Sequence, residues 1–309
     1  MTGSAVVLLG GAIHSLAKVS PWLLGLALAL HLVKVAAEAR AWHGIVRGAH
    51  DGSPLAFRTT LGAFVGSIGA NAVLPARVGE AFRVGVVRRH AKGSSVSTLG
   101  GTIALETLLE LGFAAFILFV LLSAGRSVGP LGAPLSALVS HPAVALAIAA
   151  GLAAGVVLLL AVRSRAVRFA RDVVQGFAVV KEPLALGRVV GWKAVAWTMR
   201  TASVVAFLAA FGLPLSLWTA VLVIAAQTAA AIVPFTPGNA GTQQAALVVA
   251  LAGTTSASTA LGFGVGMQGA TLVTDLAVGT CAVALVAGLG DLRTALPSLW
   301  GRQGAPAVK

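Results

Sequence analysis

The sequence predicts an all-α, polytopic helical membrane protein with two re-entrant broken-helix segments in an inverted-repeat arrangement, and three observations carry that expectation. Of the 309 residues, 58% are hydrophobic and 10% charged, with a mean hydropathy of +0.94, whereas a soluble domain is about 25% charged. The net charge is +13, and its basic residues fall in short clusters between apolar runs, as at the cytoplasmic face of a membrane rather than in a nucleic-acid groove. Two polar runs, residues 71–83 and 234–244, carry proline and glycine between apolar segments. Such residues have no cheap place in hydrocarbon unless the backbone there lines a cavity or is buried in protein. One transmembrane domain over residues 1–309 follows, with halves at about 20–162 and 190–289 joined by a basic cytoplasmic connector at about 163–189.

Residues 4–16 are apolar but short and lack a basic leader, which predicts a partial or interfacial helix rather than a removed signal. Residues 20–46 are the first span: about 20 apolar residues cross a bilayer, Trp22 and Trp42 suit the two interfaces, and Arg40 and Arg47 mark the inner end. Inside it Lys34 and Glu38 are four residues apart, so they share a face, either as a neutralised pair or as cavity lining. Residues 57–74 are short, rich in small residues and flanked by Arg58, Arg77 and Arg83. That pattern predicts a helix that enters from the inside and stops near Asn71 and Pro75, with Gly62 and Gly66 allowing close helix approach.

Residues 96–122 form a second full span holding Glu106 and Glu110 one turn apart. Residues 123–141 carry one fixed charge, Arg126, and are placed outside, and residues 144–162 return. Seven basic residues (Arg163, Arg165, Arg168, Arg171, Lys181, Arg188 and Lys193) against Asp172 and Glu182 put the following stretch inside. Residues 192–211, with Arg200, cross outward; residues 215–233 re-enter from outside and end at the second break. Residues 245–251 climb back and residues 261–288, with Asp275, run inward. Paired interrupted segments in halves of opposite orientation point to an inverted-repeat transporter with substrate at the repeat interface.

The candidate site follows from these breaks. Arg77 and Arg83 suit a phosphate, because a guanidinium binds it bidentately and stays charged. Glu80, three residues from each, keeps the empty site from holding bare positive charge. Asn71, Pro75 and Gly79 shape the first break, and Pro237, Gly238, Asn239, Gly241 and Gln244 shape the second through backbone and amide groups. Glu106 and Glu110 neutralise arginines or carry protons, with Arg200 and the Arg77 and Arg83 pair as partners. The blander reading is that Pro75, Gly79 and the charged set cap a broken helix and anchor it at the interface.

Other chemistry is poorly supported. Gly264, Gly266 and Gly269 match a dinucleotide fingerprint, but no strand precedes them and the surroundings read as a membrane helix. Ser15 and Lys18 match a serine-lysine spacing by chance, and the six histidines show no metalloprotease pattern. The single cysteine, Cys281, forms no disulfide framework or thiolate metal site. No cofactor, metal or nucleic-acid partner is expected, and neither is an enzyme activity, since no nucleophile or metal constellation is present.

In Asn71, Leu74, Pro75, Ala76, Arg77, Gly79, Glu80 and Arg83, and again in Pro234, Pro237, Gly238 and Gly241, the chain resembles the lysylphosphatidylglycerol synthase transmembrane-region family, also called the flippase-like domain family. The resemblance implies a multi-pass fold and a lipid or lipid-linked substrate. Three departures stand out. Where the family often has Glu-Arg-x-x-Asp, this chain has Glu106-Thr107-Leu108-Leu109-Glu110; Asn239 replaces a glycine and Gln244 an acid in the second motif. Only residues 289–309 follow the last span, too few for the soluble aminoacyltransferase domain of the bifunctional synthases, so lysyl-lipid synthesis by this chain alone is not expected. The leading expectation is a flippase-like transporter of an anionic phospholipid or polyprenyl-phosphate headgroup in a prokaryotic cell membrane. The alternative is a non-transporting subunit presenting lipid to a separate glycosyl- or aminoacyltransferase.

Overall fold

The computed structural model describes residues 19–50, 55–74, 78–91, 94–123, 171–231 and 239–300, with the backbone alone for 118–123 and 285–300. Every named element among them is helical: α1 Pro21–Gly48, α2 Phe57–Val73, α3 Val78–His90, α4 Val96–Ser123, α5 Pro183–Ala210, α6 Leu217–Ala231, α7 Thr242–Ala250 and α8 Ala257–Trp300, plus a 3-10 turn at Ala178–Lys181. Three are long and apolar enough to cross a membrane, over Pro21–Gly48, Val96–Ile117 and Ala257–Ala284. The chain is a helical membrane protein.

α5 is not among those three, although its C-terminal part was expected to cross. Arg188, Lys193 and Arg200 lower its hydropathy, and it lies antiparallel along the candidate span α1. The pairing runs the length of both helices. Ser20 N–H donates to the Ala210 carbonyl at 3.0 Å, Ser203 Oγ to the Ala27 carbonyl at 2.8 Å, and Gly44 and Gly48 lie flush against Val189 and Val179. α5 begins at Pro183, where proline at the first helical turn loses nothing, so Arg188 and Lys193 sit on a helix rather than in a connecting loop.

α2 ends where expected. Leu74 is extended, at φ −96° and ψ 135°, as the residue before a proline prefers, and α3 begins at Val78. α2 packs on α3, α1 and α8; α6 packs on α7 and α5, and α7 on α8. Among the described residues three apolar cores result, the smallest joining α1, α4, α5 and the 3-10 turn through Ala41, Ile45, Leu105, Val179 and Val189. One joins the N-terminal half of α1 and the C-terminal half of α5 to α6, α7 and the start of α8, through Phe207, Leu208, Val223, Leu247, Phe263 and Met267. Another joins the C-terminal half of α1 to α2, α3 and the start of α4, through Trp42, Val46, Phe64, Val87 and Leu99. Between them lies the charged site.

Candidate functional site

Five charged side chains from α3, α4 and α5 form a row of alternating sign. Arg83 of α3, 6% exposed, places Nη2 2.8 Å from Glu106 Oε2 of α4. The contact is an ion pair without hydrogen-bond alignment, since that oxygen and Arg83 Nε both lack a directed partner. The guanidinium lies instead against two adjoining aromatic rings, 4.5 Å from the Trp42 centroid and 5.2 Å from that of Phe64. An aromatic face attracts a cation most where water is excluded. Trp42 is itself held by its indole N–H, which donates to Thr102 Oγ1 at 3.2 Å.

Lys193 Nζ stands 3.6 Å from Glu106 Oε1 and donates to Glu110 Oε2 at 3.2 Å. Arg200, over the Trp197 ring at 5.0 Å, closes the row by donating to Glu110 Oε1 at 3.2 Å. Beside it on α1, Lys34 and Glu38 pair at 2.9 Å, and Glu38 feels the charges of Lys193 and Arg200. Together these seven groups hold four cations and three carboxylates, an excess of one positive charge. The Glu110 side chain is 31% exposed against 11% for Glu106, so the row opens at its Glu110 end.

The two breaks are built by side-chain caps. Asn71 Oδ1 accepts the Gly79 N–H at 2.7 Å, so a residue of α2 satisfies a free donor in the first turn of α3. Gly79 lies so close to the Ser67 carbonyl and Asn71 that no side chain fits there. Glu80, half-buried, follows in the same turn. At the second break Asn239 has φ 58° and Gly241 φ 87°, left-handed values that asparagine tolerates better than other side chains, which explains how Asn239 stands where the resembled motif has glycine. Gln244 Oε1 accepts the Gly241 N–H at 2.7 Å, and its amide reaches across to Gln268 of α8. Pro75, Arg77, Pro237 and Gly238 lie outside the described residues.

The family model described as the lysylphosphatidylglycerol synthase TM region matches residues 3–279, a stretch that takes in α1 to α7 and most of α8. The chain belongs to this family. No curated protein and no solved structure matches it significantly.

Of the residues expected at the site of this lysylphosphatidylglycerol synthase TM region protein, the structure joins Arg83, Glu106, Glu110 and Arg200 in one cluster. Asn71, Gly79 and Glu80 adjoin it on the α2–α3 turn, and Asn239, Gly241 and Gln244 form a separate group against α8. One assignment is corrected: Lys193, counted with the cytoplasmic basic residues, is 2% exposed and bridges both glutamates. The signal was present, since Lys193 and Arg200 are two helical turns apart and share a face with Trp197. Glu38, 9% exposed, likewise belongs beside the cluster.

Two largely apolar cavities are found among the described residues. One of about 800 Å³ is lined by Leu32, Val35, Leu61, Val65 and Val278, with Arg58 at its rim. Another of about 750 Å³ is lined by Leu23, Leu30, Phe113, Trp197, Val205 and Leu217. The first touches α1 at Leu32, Val35 and Ala36 and the second at Leu23, Leu26 and Leu30, and the second takes in Trp197, the ring that Arg200 covers.

Proposed function

We propose that the protein moves an anionic phospholipid or polyprenyl-phosphate headgroup between the two leaflets, with the acyl or prenyl chains held in the apolar cavities. The observation that carries this reading is the buried row of alternating charge with one cation in excess, in a protein that also holds two apolar cavities, one of them lined by the Trp197 ring under Arg200. A phosphate entering at Glu110 finds Arg200 and Lys193 already desolvated. It replaces the Glu110 carboxylate as partner while that carboxylate takes up a proton, so no charge is left bare in hydrocarbon. Arg77 and Arg83 complete the phosphate seat with Glu80 as counter-charge, and Pro75, Pro237 and Gly238 keep the backbone open at the two breaks. Protons moving through Glu106 and Glu110 couple the cycle.

The re-entrant, inverted-repeat architecture is part of this proposal. Its halves are residues 20–162 and 190–289, with residues 163–189 as cytoplasmic connector. It is supported by the antiparallel pairing of α1 with α5, the first helix of each half, and by a short hairpin after each, α2–α3 and α6–α7. Alternating access then rocks one half against the other around a fixed charged site.

The full chain is reconstituted in vesicles containing fluorescent phosphatidylglycerol, and leaflet transfer is read by dithionite quenching. The wild type is expected to accelerate transfer, and Glu106→Gln, Arg83→Gln and Lys193→Met to slow it at least about tenfold, as loss of one desolvated charge contact implies. Undiminished transfer in all three folded variants sinks the site. No transfer by the wild type, together with co-purification of a transferase, favours the lipid-presenting subunit.

A further inference from the structure

Where the last turns of α1 meet the start of α5, a second charged recess lies apart from the row described above. It has a volume of about 300 Å³ and is lined by Arg40, His43, Arg47, Glu182, Arg188 and Trp192. Three guanidiniums thus face one carboxylate, and among the described residues none of these arginines makes an ion pair. Arg40 is steered by a contact 4.8 Å from the Phe57 ring centroid. His43 is 5% exposed and fixed by a 2.9 Å hydrogen bond between Nδ1 and Thr60 Oγ1, which leaves Nε2 for a ligand. The close approach of Gly44 to Val189 and of Gly48 to Val179 closes the floor.

We infer that this recess binds the phosphate of an anionic phospholipid headgroup, as a lipid site separate from the proposed transport site and independent of that reading. Three unpaired arginines select an oxyanion by charge and by fork geometry. A lipid rather than a free phosphate is indicated by the face of α5 on which Arg188 lies. Leu184, Trp192 and Val195 recur on that face at helical spacing and are exposed by 80%, 42% and 41%, an apolar wall for acyl chains beside the arginines. The basic end of α1 and the basic connector put the recess at the cytoplasmic leaflet, where anionic lipids are concentrated and where basic pockets between helices hold their headgroups.

The test is calorimetric titration of the full chain in neutral detergent with dihexanoyl phosphatidylglycerol, dihexanoyl phosphatidylcholine and sn-glycerol 3-phosphate. The wild type is expected to bind the phosphatidylglycerol at least about tenfold more tightly than either other probe. The double variant Arg47→Gln/Arg188→Gln should lose one phosphatidylglycerol site per chain, any site in the transport row remaining, and Glu182→Gln should tighten binding at the recess. Both recess arginines are exposed, so melting temperature should hold in the double variant, and the opposite sign for Glu182→Gln stands as a check that misfolding cannot mimic. Equal binding of phosphatidylcholine overturns the proposal, as does an unchanged double variant or Glu182→Gln. Equal binding of glycerol phosphate makes the ligand a soluble phosphate and overturns the lipid assignment.

Discussion

At the scale of single residues, Arg83 and the two glutamates show how burial and geometry decide what a charge does. Arg83 carries few directed hydrogen bonds but covers the adjoining Trp42 and Phe64 rings, a contact that a planar guanidinium makes better than an ammonium. Arg83→Lys is therefore expected to keep the charge yet lose about 1–2 kcal/mol through the two ring faces. Thermal melting in detergent checks this, and an unshifted transition would remove the aromatic contact from the account. Glu106 and Glu110 look equivalent in sequence but differ in surroundings: Glu106 touches Arg83 and Lys193 deep in the structure, while Glu110 meets Lys193 and Arg200 at the open end. Glu106→Gln is expected to destabilise the protein more than Glu110→Gln, because it leaves two buried cations short of a partner. Equal melting temperatures for the two variants would contradict that order.

At the scale of elements, the small residues of α2 set how closely the first hairpin approaches α8. A Cβ at Gly69 would come 2.9 Å from Gly279 Cα, and one at Gly279 would come 2.7 Å from Gly69 Cα. Backbones this close gain van der Waals contact that side chains would prevent. Gly69→Val is expected to push α2 from α8 and cost about 1–3 kcal/mol, read as a lower melting temperature. The same substitution at Gly25 on α1, where nothing stands within 4 Å, serves as the neutral comparison; equal effects at both would refute the close-packing argument. α8 also carries Gln268 and Asp275 seven residues apart on one face. Gln268 meets Gln244 of the second break, and Asp275 pairs with His31 of α1 at 2.8 Å. One helix thereby touches both hairpins and the first span.

At the scale of the whole molecule, the proposed opposed orientation of the halves makes a prediction about sides. In a Cys281→Ser background, single cysteines at Arg58 and Leu217 start α2 and α6, the first helices of the two hairpins. An impermeant maleimide is expected to label the two from opposite sides of the membrane. Labelling from one side would end the inverted arrangement. The helical class, the two interruptions and the Lys34–Glu38 pair were legible in the sequence because hydropathy, proline placement and i,i+4 spacing are local signals. Partners across the chain were not legible to the same degree. Arg200 and the Arg77 and Arg83 pair were named as partners for Glu106 and Glu110 because buried carboxylates in a membrane need cations, but no spacing rule selects which cation meets which acid.

What the sequence determined by itself is a membrane-embedded helical chain, the positions of its breaks and a short set of charges that cannot rest in hydrocarbon alone. Composition and periodicity decide these, since each residue's cost of transfer from water is its own. Only the tertiary structure decided that Lys193 belongs to the site rather than to the cytoplasmic surface, that α1 and α5 run antiparallel through the centre, and that three arginines at their basic end share one recess. The physical reason is that a charge's role depends on which other elements enclose it. Enclosure is set by helix packing between residues far apart in the chain, which no local pattern records.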